Sequence, residues 1–191
     1  MATENRRPLI AVIGDGGVAA GTSPYLLAER LGERLVDNGF RVLTGGLGGI
    51  MAAACEGARR SVSYRNGDTI GLLPGHDAWA AGGAVDISIP TGLDTARNTI
   101  VAHADAVIAV GGGAGTLSEA AAAWIFNRLV IAFKIEGWSG RLADTRIDGR
   151  NRYDAVPDDR VYGVETPEEA VALLGRLLPL YRKSPRGLRG M

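Results

Sequence analysis

Ala106-Val107-Ile108-Ala109-Val110-Gly111-Gly112-Gly113-Ala114-Gly115-Thr116-Leu117-Ser118-Glu119 reads as three parts in succession. The five apolar residues make a short strand buried on both faces. The glycines at 111, 112, 113 and 115 strip side chains from a turn. Thr116 then opens a run of Ala, Leu and Trp that reads as a helix. Strand, glycine turn and helix present free backbone N–H groups to an anion. The aligned peptide dipoles add ~0.3–1 kcal/mol toward a bound charge. A phosphate or carboxylate is expected above residues 112–116.

Outward from this stretch the pattern repeats. Toward the N-terminus, Leu93–Ala104 reads as a helix with Leu93, Ile100 and Val101 inward and His103 near its end. Val85–Ile89 alternates and reads as a strand near a sheet edge. Thr69–Leu73 and Phe40–Leu43 read as strands, and Ile50–Arg60 as a small-residue helix packing through Met51, Ala54, Cys55 and Ala58. Leu9–Ile13 is the first strand. Ser23 caps the next helix with Pro24 at its first position. In that helix Leu26, Leu27, Leu31, Leu35 and Val36 recur at helical spacing, and Asn38-Gly39 ends it. Toward the C-terminus, Asn127-Arg128 breaks the helix and Leu129–Phe133 is a strand. Gly137–Asn151 is polar and has no assigned element. Val161–Val164 reads as a last strand. Thr166-Pro167-Glu168-Glu169 opens a helix with a capping box, and the helix runs to about Leu178.

Strands alternating with helices at this spacing define an α/β domain with a mostly parallel sheet of about seven strands. Ligands of such sheets sit outside the carboxyl ends of the strands. The glycine turns at 14–17, 45–49 and 111–115 all follow strands and converge on that edge. The ligand-facing set read from them is Gly14, Asp15, Gly45, Gly46, Gly48, Gly49, Gly112, Gly113, Gly115 and Thr116, together with Arg97 and Asn98.

Composition bounds the chain. It has 191 residues, 46% hydrophobic and 22% charged, which suits one folded domain over 1–181 with 182–191 as a tail. Lys+Arg and Asp+Glu both total 21, so no general basic surface for nucleic acid is expected. The single cysteine, Cys55, rules out an internal disulfide and a cysteine-based zinc site. His76 and His103 are too few for a metal site. No signal segment and no membrane-spanning run are read, and the cytoplasm is the default compartment.

Gly14-Asp15-Gly16-Gly17-Val18-Ala19 matches the G-x-G-x-x-A dinucleotide pattern. That pattern also wants an acidic residue after the second strand, where Thr44-Gly45-Gly46 stands instead. No Walker lysine follows any glycine turn. Glu119 has two readings: the distal member of a Thr116-to-Glu119 capping box, or a carboxylate facing ligand hydroxyls or an attacking water. Arg97 is either a surface residue or a phosphate fork. His76 could face the cleft. Trp79 either stacks on a planar ligand or folds over apolar surface. Cys55 reads as a small core residue.

Thr44-Gly45-Gly46-Leu47-Gly48-Gly49-Ile50-Met51, Gly71-Leu72-Leu73-Pro74-Gly75, Ala96-Arg97-Asn98 and Gly111-to-Glu119 together resemble the Lonely Guy (LOG) family, over Leu9 to Phe133. Within it the chain looks like the molybdenum cofactor carrier branch. The resemblance implies a Rossmann-like three-layer sandwich that forms homodimers or homotetramers. It implies a phosphate held at the glycine motif. In the enzymes of the family, the glutamate matching Glu119 and a nearby arginine support cleavage of a nucleoside 5′-monophosphate to free base and ribose 5-phosphate. This chain has Asp94-Thr95-Ala96-Arg97-Asn98 where those enzymes carry Met-His-x-Arg-Lys, and Val110 where they usually carry Pro. Two functions follow as expectations. One is a binding protein for a phosphate-bearing nucleotide-like ligand, with the molybdenum cofactor as the carried molecule and no cofactor of its own. The other is a phosphoribohydrolase with Glu119 and Arg97 as its catalytic pair.

Overall fold

The computed structural model describes residues 6–181. The tail expected over 182–191 lies outside the described residues. Seven strands form one sheet: β1 (Leu9–Gly14), β2 (Arg41–Thr44), β3 (Thr69–Leu73), β4 (Ile87–Pro90), β5 (Ala106–Val110), β6 (Leu129–Phe133) and β7 (Tyr162–Val164). The helices are α1 (Ser23–Asp37), α2 (Ile50–Arg60), α3 (Asn98–Val101), α4 (Ala114–Ile125), α5 (Trp138–Leu142) and α6 (Pro167–Leu177). The sheet order is β4-β3-β2-β1-β5-β6-β7 and every pairing is parallel. The chain winds outward from β1 to β4, then crosses back to lay β5 against the other side of β1. The switch point of this doubly wound sheet lies between β1 and β5.

Two apolar layers follow from strand alternation. Ile10, Val12, Ile108, Val110, Ile131 and Phe133 face α1, α2 and α6. Ala11, Ile13, Val107, Ala109, Val130 and Ala132 face the layer of α3, α4 and α5. All five residues of β5 and of β6 are buried, as a central parallel strand requires. Fully burying a side chain such as Ile108 or Phe133 contributes ~1.5–3 kcal/mol. α1 and α2 approach closely because Gly32 and Gly57 leave room for the backbone carbonyls of Ala54 and Glu29. Met51, Ala54, Cys55 and Ala58 are buried as their spacing predicts.

Several boundaries differ from the sequence reading. Thr22, not Ser23, is the N-cap of α1, and Leu26 faces out while Tyr25 and Ala28 face in. β2 starts at Arg41, one residue after Phe40. β4 starts at Ile87, two residues later than expected, because Val85 turns inward against Gly71. The Asp86 carboxylate is bound there by Tyr64, by Arg59 and by the amides of Gly67 and Thr69. β4 is an edge strand, as its alternation indicates. The helix expected over 93–104 is a 3₁₀ turn at Asp94–Arg97 followed by the single α-turn of α3. Asp94 is left-handed at φ 49°, so the chain cannot enter a regular helix there. Val101 is buried, but Leu93 and Ile100 are exposed. Part of Gly137–Asn151 forms α5. The capping box at Thr166 and Glu169 is present.

Among the described residues no helix is long and apolar enough to cross a membrane, and no cluster of His, Cys, Asp and Glu could hold a metal ion.

Candidate functional site

Helix α4 begins at Ala114, two residues before Thr116, with Gly113 as its N-cap and no side-chain cap. Gly112, at φ 91°, turns the chain early, and the Thr116 side chain folds back against it. A methyl group at 112 would overlap Thr116, so this position requires glycine on both counts. Leu117 N donates to Gly113 O at 3.0 Å, which leaves the amides of the first turn without intrahelical acceptors. Gly113 and Gly115 are exposed, with open space where a side chain would stand.

The capping-box reading of Glu119 is therefore overturned. Thr116 is the third residue of the helix and Glu119 the sixth, so Glu119 has no cap to reach back to. Glu119 is buried instead, 6% exposed, and faces Arg97, also 6% exposed. The surface reading of Arg97 falls with it. Their contact is one long hydrogen bond, from Arg97 Nη1 to Glu119 Oε1 at 3.4 Å. Arg97 Nε is buried with no partner among the described residues. Burial lowers the Arg97 pKa against the opposing pull of Glu119. Burial pushes the Glu119 carboxyl up to about 7, and the Arg97 charge restrains it only in part.

Arg97 also reaches the turn after β2. A methyl group on Gly45 would overlap the Arg97 guanidinium and come within 2.7 Å of Met51 Sδ. Since β1 lies between β2 and β5, the Gly45–Arg97–Glu119 line passes over the carboxyl end of β1 at the switch point. Asn98 Nδ2 donates to Ser118 Oγ at 2.8 Å, and Ser118 Oγ donates to Gly115 O at 2.7 Å. Asn98 thus ties the Arg97 turn to the first turn of α4.

The other two glycine turns pack on each other. Ile50 N donates to Asp15 O at 3.0 Å, and Gly49 and Gly48 lie against Asp15 and Gly16. Gly14 is wedged between Val110 O and Ile50, and Gly46 against Leu73. Asp15 Oδ1 accepts from Gly17 N at 2.7 Å, and Asp15 is exposed. Of the residues read from sequence, the structure brings Arg97, Gly45, Asn98 and Glu119 together around α4. Gly14, Gly46 and Gly49 lie in backbone packing.

Sequence reasoning did not single out Thr44, Ser118 and Ser139. Thr44 Oγ1 accepts from Gly46 N and shapes the second turn. Ser139 Oγ accepts from Gly111 N at 2.7 Å and donates to Phe133 O, while Trp138 N donates to Gly112 O. These bonds pin the start of the third turn to α5. A hollow of about 550 Å³ opens at the carboxyl end of β6, lined by Lys134, Glu136, Gly137 and Arg141 among others. It shares a wall with the third turn, since Gly137 rests on Gly111 and Gly112. No motif marks it in the sequence. His76 is exposed and rests on Gly92. Trp79 is 93% exposed, so it folds over no apolar surface. His103 stacks on Phe126, and Cys55 is a buried core thiol.

An all-parallel doubly wound sheet with glycine turns at its switch point defines a Rossmann-like α/β protein. The chain belongs to the SLOG cluster4 family, whose model matches residues 7–171. An uncharacterized protein of Archaeoglobus fulgidus is 37% identical over 163 residues, covering 85% of this chain and 91% of that protein. The structure of the molybdenum cofactor binding protein from Rippkaea orientalis is similar at 33% identity and TM-score 0.73, over 91% of this chain and 99% of that one. The molybdenum cofactor carrier protein of Chlamydomonas reinhardtii is similar at 28% identity and TM-score 0.71, with the same coverage.

Proposed function

We propose that this protein is a carrier that holds a phosphate-bearing, nucleotide-like ligand at the carboxyl edge of the sheet, with the molybdenum cofactor as its cargo. The observation that carries the reading is the buried Arg97, its Nε without a partner among the described residues, set against Glu119 of α4, the helix whose first-turn amides are open. A buried guanidinium with spare donors is costly unless an anion completes it. The amides of Gly113, Gly115 and Thr116 would bind phosphate oxygens, and Arg97 would close on them from the Gly45 side. Asn98 would hold the Arg97 turn in register. Gly48 and Asp15 would form the opposite wall. The likeness to molybdenum cofactor binding and carrier proteins supports the choice of cargo. The hollow beside the third turn is in the size range of small-molecule sites and would take the group attached to the phosphate.

Mass spectrometry of small molecules released from the denatured protein tests the cargo. Recovery of a molybdopterin species is the expected result, and a tightly bound adenine nucleotide with no affinity for molybdopterin would sink it. Arg97→Ala should weaken binding about tenfold to a hundredfold, as loss of a charge-assisted hydrogen bond does.

A second reading is favoured by one observation: Glu119 is buried against Arg97 and not spent on a helix cap. In a phosphoribohydrolase, Glu119 would stabilise positive charge developing on the ribose. Incubation with AMP or N6-substituted AMP should then release ribose 5-phosphate, and Glu119→Ala should abolish the release. A homodimer or homotetramer is the assembly we expect in either case.

A further inference from the structure

We propose that a phosphate monoester enters this site together with one proton, and that Glu119 holds that proton. The inference rests on the anion-site reading above and concerns how the same site is controlled. Arg97 and Glu119 are both more than nine-tenths buried, and a single 3.4 Å bond joins them. Arg97 therefore offers most of its donors elsewhere, and its Nε has no acceptor among the described residues. An anion that takes those donors comes within a few ångströms of Glu119. One guanidinium would then face two anions in a poorly screened place, and such repulsion amounts to several kcal/mol. The neutral carboxylic acid removes that repulsion and adds an O–H donor for the ligand.

Among the described residues, no other cation is found to act on Glu119. The strands packed against α4 present Ala11, Ile13, Val107, Ala109, Val130 and Ala132 on that face. The turn before α3 brings Asp94, which is exposed, and Arg97. His103, after α3, stacks on Phe126, two helical turns from Glu119. Arg141 of α5 lies over Trp138. Arg97 is the charged group that acts on Glu119. Burial has already brought this carboxyl to about 7, so holding the proton costs little near neutrality.

The expected consequence is a pH-dependent affinity that disappears with the carboxylate. AMP is the probe, and Glu119→Gln is the reference that shares the titration of the phosphate itself. The ratio of wild-type Kd to variant Kd should stay near one at pH 6 and rise about tenfold per pH unit above 7. It should reach about 30-fold at pH 8.5, from a site pKa of about 7. An independent reading needs only the wild type. Calorimetry at pH 8 in two buffers of different ionisation enthalpy should show uptake approaching one proton per AMP bound, and the variant should show none. A flat Kd ratio, or proton uptake that persists in Glu119→Gln, overturns the coupling while leaving an anion site in place. Failure of a folded wild type to bind AMP or inorganic phosphate at pH 6 overturns the anion site and the coupling with it. Loss of binding at every pH in a variant that melts like the wild type also overturns the coupling, because Glu119 would then act as an ionised contact.

Discussion

Burial of the Glu119 carboxyl costs the fold stability. Its folded pKa, about 7, stands above the ordinary 4.5, so the folded state binds the proton more tightly than the unfolded state. Below 4.5 both states are protonated and nothing is lost. As pH rises from 4.5 to 7 the protein loses stability relative to a neutral side chain, by on the order of 3 kcal/mol, and above 7 the loss is constant. Urea denaturation without ligand should show Glu119→Gln gaining on the wild type across that window and no further beyond it. Gly45 is the complementary position. Gly45→Ala should displace Arg97 or Met51 and weaken AMP binding more than tenfold, read by calorimetry. The sequence left Glu119 open between helix cap and site carboxylate, and did not place Gly45 against Arg97. Thr116 to Glu119 spells a capping box, and only the early entry of the helix at Ala114, set by Gly112 and Gly113, frees the glutamate for Arg97.

The elements themselves were largely legible, for a physical reason. Central parallel strands are buried on both faces, so β1, β5 and β6 stand out as unbroken apolar runs, β1 and β5 next to glycine turns. The segment before β5 was misread because a left-handed Asp94 leaves no trace in apolar spacing. The segment after α5 was also silent, and its order rests on polar contacts. Arg152 pairs with Asp159 through two bonds of 2.7 Å, lies 3.5 Å over the Trp124 ring, and donates to Arg128 O. Tyr181 donates to the same Asp159, and its own pKa is pushed up by burial and by that bond. This cluster fastens the irregular 150s and the end of the described chain to α4. Asp159→Ala removes both 2.7 Å bonds to the buried Arg152 and should cost about 3–5 kcal/mol in thermal or urea denaturation.

At the scale of the whole molecule, the doubly wound order could be anticipated only as a mostly parallel sheet, since strand order depends on crossovers that local patterns do not record. Assembly was likewise beyond local reading. Ile100 and Ile125 are exposed on the α3–α4 layer, where a second copy could cover them. Light scattering on the full chain should give a dimer or tetramer, and Ile100→Asp with Ile125→Asp should shift it toward monomer. The crossover between α3 and β5 has a further meaning. Residues 6–104 supply β1 to β4 and Arg97, and residues 105–181 supply β5 to β7 and Glu119. The two segments meet along the β1–β5 seam, where Asp105 Oδ2 accepts from Leu9 N at 2.7 Å. Arg97 and Glu119 come from different segments, so a chain severed between Ala104 and Asp105 should hold the Arg97–Glu119 pair only when its two pieces are joined. Co-expressed as separate polypeptides, the pieces should work as a split reporter in which AMP binding reads out reassembly.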